Sequence, residues 1–241
     1  MTRLKKIAFA VGLLIGATFT SQAFASVVMT GTRVIYPASA REKAIQLTNQ
    51  SASPYLVQLW LDKGNKNSTV QTADAPFITS PQIFRVNANS GQVVRLIYSG
   101  DNLPTDRESI FYLNFVQMPA VKASEQTANK LLLVFKNRLK VFYRPNNLAG
   151  NPDALSNSLT LTLQGKEIVA NNNSGYYATI RNASIVSSGR HRPLIVDEMI
   201  APKSKTHWSI ANTARPVKGD TVSVTLINDF GADVSSELTL Q

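Results

Sequence analysis

Residues 130–145, KLLLVFKNRLKVFYRP, bring together two kinds of side chain that rarely share one segment. Leu131, Leu133 and Phe135 occupy alternate positions of an extended run, with Leu132 and Val134 between them, and Lys136, Arg138, Lys140 and Arg144 follow. A strand this apolar and free of turn residues normally lies inside a core, because an exposed edge of its kind templates aggregation. Cations are costly to bury unless something negative meets them. The chemistry written into this stretch is therefore the meeting of an anion beside an apolar strand. On alternation alone, Leu132 and Val134 are the better candidates for the protein's own core.

Covalent and metal chemistry has few residues to work with. The chain contains two histidines, His191 and His207, and no cysteine. Zinc-ligand spacing is absent, as are a Gly-x-Ser-x-Gly elbow, a phosphate-cradling loop and a dinucleotide fingerprint. His191, within SSGRHRP, reads as part of an exposed turn, and His207 beside Trp208 as a strand surface residue. Asp197-Glu198 is an acidic pair, but carboxylates that cleave glycosides are identified by their separation in space. The expectation is no catalytic residue, no metal and no cofactor.

The elements that must position these residues are strands. Period-2 segments recur at 44–48, 55–61, 93–98, 110–116, 159–163, 176–180 and 222–227, separated by turn clusters such as NQSASP, NANSG and NNNSG. That pattern predicts an all-β protein built of sandwiches, with no helix of ordinary length. A turn-rich, apolar-poor stretch after Pro145, NNLAGNPDALSNS, marks the boundary between a domain at 26–145 and one at 146–241. Each half has the size of one immunoglobulin-like sandwich.

The first 25 residues read as a secretory signal peptide: Arg3, Lys5 and Lys6 precede a 13-residue apolar run, and Ala23-Phe24-Ala25 supplies the cleavage site. The run is too short to span a bilayer. Without the signal, three of 25 basic residues and none of 15 acidic ones are lost, which leaves a net charge of +7. The cations are dispersed, which argues against nucleic-acid binding. With no disulfide available, stability must come from hydrophobic cores.

Four separated motifs resemble the periplasmic pilus chaperones of the chaperone-usher pathway: TRVIYP at 32–37, DRESIFYLNFVQMP at 106–119, RLKVFYRP at 138–145 and INDFGA at 227–232. The resemblance implies two immunoglobulin-like sandwiches in an L shape with a cleft between them, and no enzymatic activity. It implies that Leu131, Leu133 and Phe135 form a donor strand that completes a pilus subunit lacking its last strand. It places a cleft pair on Arg33 and Lys140 that grips the subunit's terminal carboxylate, and an interdomain charge cluster on Glu108, Arg144 and Asp229. The short polar segment AVKASEQTAN resembles the short-loop branch of the family. Implied partners are pilus subunits and an outer-membrane usher, in the periplasm, with no nucleic acid and no membrane-embedded part.

Strict alternation puts Phe135 and Lys140 on opposite faces, so a bulge or sharp twist between Lys136 and Leu139 is expected to re-aim the lysine. An open edge of this length is also expected to self-associate transiently. The competing reading is a secreted adhesive or glycan-binding sandwich, with a hydrolase third. Residues 26–36 count against an adhesin, since they read as a first strand ending at Pro37 and not as a donor extension.

Overall fold

The computed structural model describes residues 26–100, 102–121, 131–165, 167–187, 190–210 and 216–241. The signal-peptide expectation for 1–25 falls outside these residues, as does the assignment resting on the loop through 122–130. The chain forms two immunoglobulin-like sandwiches in an L shape with a cleft between them. Among the described residues the helical segments are short 3-10 turns, Val70–Thr72 and Pro152–Ser158.

The first domain packs two sheets. One has the order β1 (Val27–Met29), β3 (Lys43–Asn49), β7 (Gly91–Tyr98), β5 (Phe77–Ser80). The other runs β2 (Arg33–Pro37), β9 (Phe135–Arg144), β8 (Ser109–Pro119), β4 (Tyr55–Asp62), β6 (Ile83–Val86). Residues 26–37, read as one strand, are two: β1 pairs antiparallel with β3, and the chain then crosses to the opposite sheet, where β2 runs parallel to β9. Gly31 makes the crossing with φ of 89°, a left-handed conformation that side chains with a Cβ resist.

Alternation decides what each strand buries. Phe111, Leu113 and Phe115 of β8 point into the core and oppose Val141, Leu139 and Asn137 of β9. The odd-numbered residues of β9 therefore share the core face, and the even-numbered ones, Lys136, Arg138, Lys140, Phe142 and Arg144, share the other. The β8–β9 register is continuous from Ser109↔Tyr143 to Gln117↔Phe135, so no bulge re-aims Lys140. Phe135 and Lys140 therefore lie on opposite faces of β9, five positions apart along the strand.

Two further expectations are corrected. Hydrogen-bonded pairing of β9 starts at Phe135, and residues 131–134 lie outside any strand. Leu132 and Val134, expected in the core, are 52% and 50% exposed. Alternation predicts a core residue only where a second sheet covers the strand, and the core cluster reaches Leu139 but not beyond.

The second domain has the order β10 (Leu159–Gln164), β11 (Glu167–Asn172), β15 (Ser204–Ile210), β13 (Arg190–Ile195), β12 (Ala178–Ser187), β16 (Thr221–Ile227), β17 (Asp233–Thr239), with β14 (Met199–Ile200) on β12. A bridge between Leu161 and Leu240 brings the two ends together. Trp208, Ile168, Ile185 and Val224 are among its fully buried residues. His191 lies in β13, not in a turn, and is bonded to Ser184. His207 is a surface residue of β15 beside Glu167.

Candidate functional site

The four cations of β9 meet different fates. The Lys136 ammonium donates to the carbonyls of Lys66 and Ser68 at 3.1 and 3.0 Å and sits 5.1 Å from the Trp60 ring. Arg138 grips Asp62 with two nitrogens, at 2.5 and 2.7 Å, donates to Asn114, and lies over the Tyr112 ring. Asp62 is fully buried at the end of β4. Burial works to raise its pKa, but hydrogen bonds from Arg138, Ser68, Asn114 and the Gly64 N–H outweigh that and hold it at about 2.

Asp62→Asn should therefore cost about 3 kcal/mol at neutral pH, because Arg138 is left partly buried without its anion. Asp62 has a depressed pKa, so its contribution is present above the ordinary carboxylate value of 3.8 and is lost as pH falls toward 2. Urea unfolding of wild type and variant should converge over that interval. Parallel curves down to pH 2 would show that Asp62 is not the group responsible.

Arg144, at the end of β9, is held from both domains. Its Nε donates to Glu108 at 2.6 Å, and its two terminal nitrogens to Asp229 at 2.6 and 2.9 Å. Burial opposes the charge, but the Asp229 hydrogen bonds and the Glu108 charge raise its pKa above the usual guanidinium value. Burial pushes the Glu108 carboxyl up, against the pull of Arg144 and of the Tyr177 N–H, which donates to it at 2.7 Å. The backbone N–H of Glu108 donates to Gly175 of the second domain. Asp229 is presented by the turn after β16, where Gly231 has φ of 84° and packs so closely on Thr32 that a Cβ would collide with its hydroxyl. Lys203 adds another bridge between the domains, 2.6 Å from Asp106.

Arg33 and Lys140 are direct partners in the parallel β2–β9 register, which puts their side chains on the same face of the sheet. Arg33 reaches across to the second domain, donating to Thr179 at 3.3 Å and to the carbonyl of Ile227 at 3.1 Å. Its buried Nε has no partner. Among the described residues no carboxylate forms an ion pair with Arg33 or Lys140. Burial lowers the pKa of each; the Lys140 ammonium is supported by the charge of Glu198 and opposed by that of Arg33. Lys140 opens into a cleft cavity of about 480 Å³ lined also by Lys66, Tyr112, Arg138, Asp197 and Glu198.

Next to this cation pair the sheet has an open edge. Because β2 begins at Arg33, opposite Lys140, β9 has no described neighbour on that side from Phe135 to Leu139. Leu131, Leu133 and Phe135 are 85%, 56% and 54% exposed at its end. An apolar segment, a free row of main-chain donors and acceptors, and two cations without a carboxylate partner thus lie in line. Asp62, Thr179 and Glu198 were not singled out from sequence as parts of this site. Asp62 carried one signal, a lone acid closing the apolar strand YLVQLWLD.

Comparison with known proteins agrees with this architecture. Residues 26–149 match the family described as pili and flagellar-assembly chaperone, PapD N-terminal domain, and residues 154–238 match the pili assembly chaperone PapD, C-terminal domain. The chain is 36% identical over 219 residues to the chaperone protein MrkB of Klebsiella pneumoniae, covering 90% of this chain and 92% of MrkB. It superimposes on the crystal structure of the YadV chaperone with a TM-score of 0.76 and 32% identity, covering 90% of this chain and 100% of that one. The fold is shared with the SafB chaperone of Salmonella enterica, solved in complex with the SafA pilin, at a TM-score of 0.74 and 24% identity, over 91% and 99% of the two chains. With both of its domains matched in order and its relatives aligned over nearly their full length, the chain belongs to the PapD family of pilus-assembly chaperones of the chaperone-usher pathway.

Proposed function

We propose that this chaperone acts in the periplasm, after removal of residues 1–25, by lending residues 131–139 of its first domain, 26–145, to a pilus subunit as a missing strand, and that it delivers the subunit to an outer-membrane usher. The observation that supports this most directly is the alignment of an unpaired strand edge with the Arg33–Lys140 pair at its end. A guest strand on that edge occupies the space immediately before β2. If it runs parallel to β9, its C-terminus meets the two cations. If it runs antiparallel, its N-terminal ammonium meets them and is repelled. Charge thus selects the parallel guest, and the carboxylate anchor fixes register, without which a one-residue slip turns every apolar side chain to the wrong face.

Burying Leu131, Leu133 and Phe135 in a subunit groove is worth on the order of 1.5 to 3 kcal/mol each before ordering costs. Their positions beyond the end of the core mean that the chaperone does not need them for its own stability. Periplasmic expression with candidate subunits should therefore recover a one-to-one complex, and Leu133→Glu should be exported and melt like wild type yet recover none. A large fall in its melting temperature would make Leu133 a core residue and end the donor assignment. The unloaded edge should also pair with a second copy, visible as concentration-dependent size that Leu133→Glu abolishes.

A further inference from the structure

The cleft cavity has walls of opposite charge. Lys140 faces it from β9, and Asp197 and Glu198 face it from the segment between β13 and β14. Asp197 accepts a hydrogen bond from the Thr206 hydroxyl. The Glu198 main chain is fixed, its carbonyl accepting the Ile180 N–H at 2.8 Å, while its carboxylate is exposed and has no ion pair among the described residues. Glu198 and Lys140 therefore share a cavity without touching. Of the other cations at the cavity, Arg138 is matched by Asp62, and Lys66 is exposed.

We propose that Glu198 is a standing counter-charge that sets the affinity of the cleft, holding the Arg33–Lys140 pair below its full attraction for a guest carboxylate so that a bound subunit remains releasable. This rests on the anchor reading given above. Two carboxylates drawn to one lysine repel each other, so the guest gains the attraction of Lys140 minus the repulsion of Glu198. The effect of Glu198 on Lys140 is attractive in the free protein, where it supports the protonated amine. A bound subunit must be able to leave, and a negative charge across the same cavity from Lys140 accomplishes this without disturbing the apolar contacts along the strand.

The test compares wild type, Glu198→Gln and Glu237→Gln, the last removing the same charge from the exposed strand β17. The probes are an N-acetylated octapeptide of alternating valine and threonine with a free C-terminal carboxylate, and the same peptide ending in an amide, titrated by NMR at pH 7 in low salt. Wild type should prefer the carboxylate peptide. Glu198→Gln should tighten that peptide roughly five-fold, as expected for loss of a partly screened charge on the facing wall of the same cavity. The amide peptide should be unaffected, as should both peptides on Glu237→Gln. If wild type prefers the carboxylate but Glu198→Gln matches it or binds more weakly, the counter-charge is overturned while the anchor stands. No preference in wild type overturns the anchor, and this inference with it.

Discussion

Lys140→Ala is expected to weaken subunit binding by about 2 to 5 kcal/mol, or roughly 30-fold to several thousand-fold, while leaving the melting temperature of the free chaperone nearly unchanged. The two outcomes separate because Lys140 makes no ion pair within its own chain among the described residues, so its removal strands no internal partner. In the proposed complex the loss strands the guest's buried carboxylate. Arg33→Ala should lose binding comparably but also some stability, since Arg33 ties β2 to Thr179 and Ile227 of the second domain. Lys205→Ala, which removes an exposed cation of β15, is the control. Binding should also fall at alkaline pH. Burial lowers the Lys140 pKa, so the ammonium needed by the guest is lost below the ordinary lysine value of 10.5. Equal binding by Lys140→Ala, Arg33→Ala and Lys205→Ala would remove the anchor even though the family assignment would stand.

Arg144→Ala should destabilise the free protein by about 3 to 5 kcal/mol, because Glu108 is left 3% exposed without its cation. The variant has a diagnostic pH dependence. Burial already raises the Glu108 pKa, and loss of Arg144 raises it further. A carboxyl with a raised folded-state pKa destabilises as pH climbs from its unfolded value through its folded one, and the penalty fades as it protonates. The urea midpoint of Arg144→Ala should therefore recover toward wild type as pH is lowered from neutral toward the ordinary glutamate value of 4.5. Failure to recover would place the cost in lost packing over Tyr176 and not in the uncompensated acid. Because Asp229 and Glu108 come from different domains, the same variant should also loosen the interdomain angle, measurable by small-angle scattering.

Residues 130–145 carry both a local pattern and a burial that this pattern does not set. Strand identity was legible because alternation is local: β3, β4, β7, β8, β10 and β16 all contain segments that the period-2 pattern marks. Burial was not legible in the same way. Leu132 and Val134 have the composition of core residues, yet they extend past the point where the opposing sheet gives cover. Similarly, residues 26–37 look continuous, and the switch of sheets at Gly31 follows from which neighbours β1 and β2 find far along the chain.

The charges divide along the same line. Residue type alone made Lys140 and Arg144 candidates for meeting anions, and motif resemblance added Arg33, Glu108 and Asp229. Their different states depend on tertiary neighbours: Arg138 is neutralised by an aspartate 76 positions away, Arg144 by acids from both domains, and Lys140 by neither, facing Glu198 across a cavity. Sequence by itself determined the all-β class, the apolar run at 131–135, the absence of cysteine and the scarcity of histidine, because these are properties of composition and short-range period. Tertiary structure alone decided which strand edge stays open, which cation lacks a partner and that Phe135 and Lys140 serve opposite faces without a bulge, because each depends on long-range pairing that brings distant residues within a few ångströms.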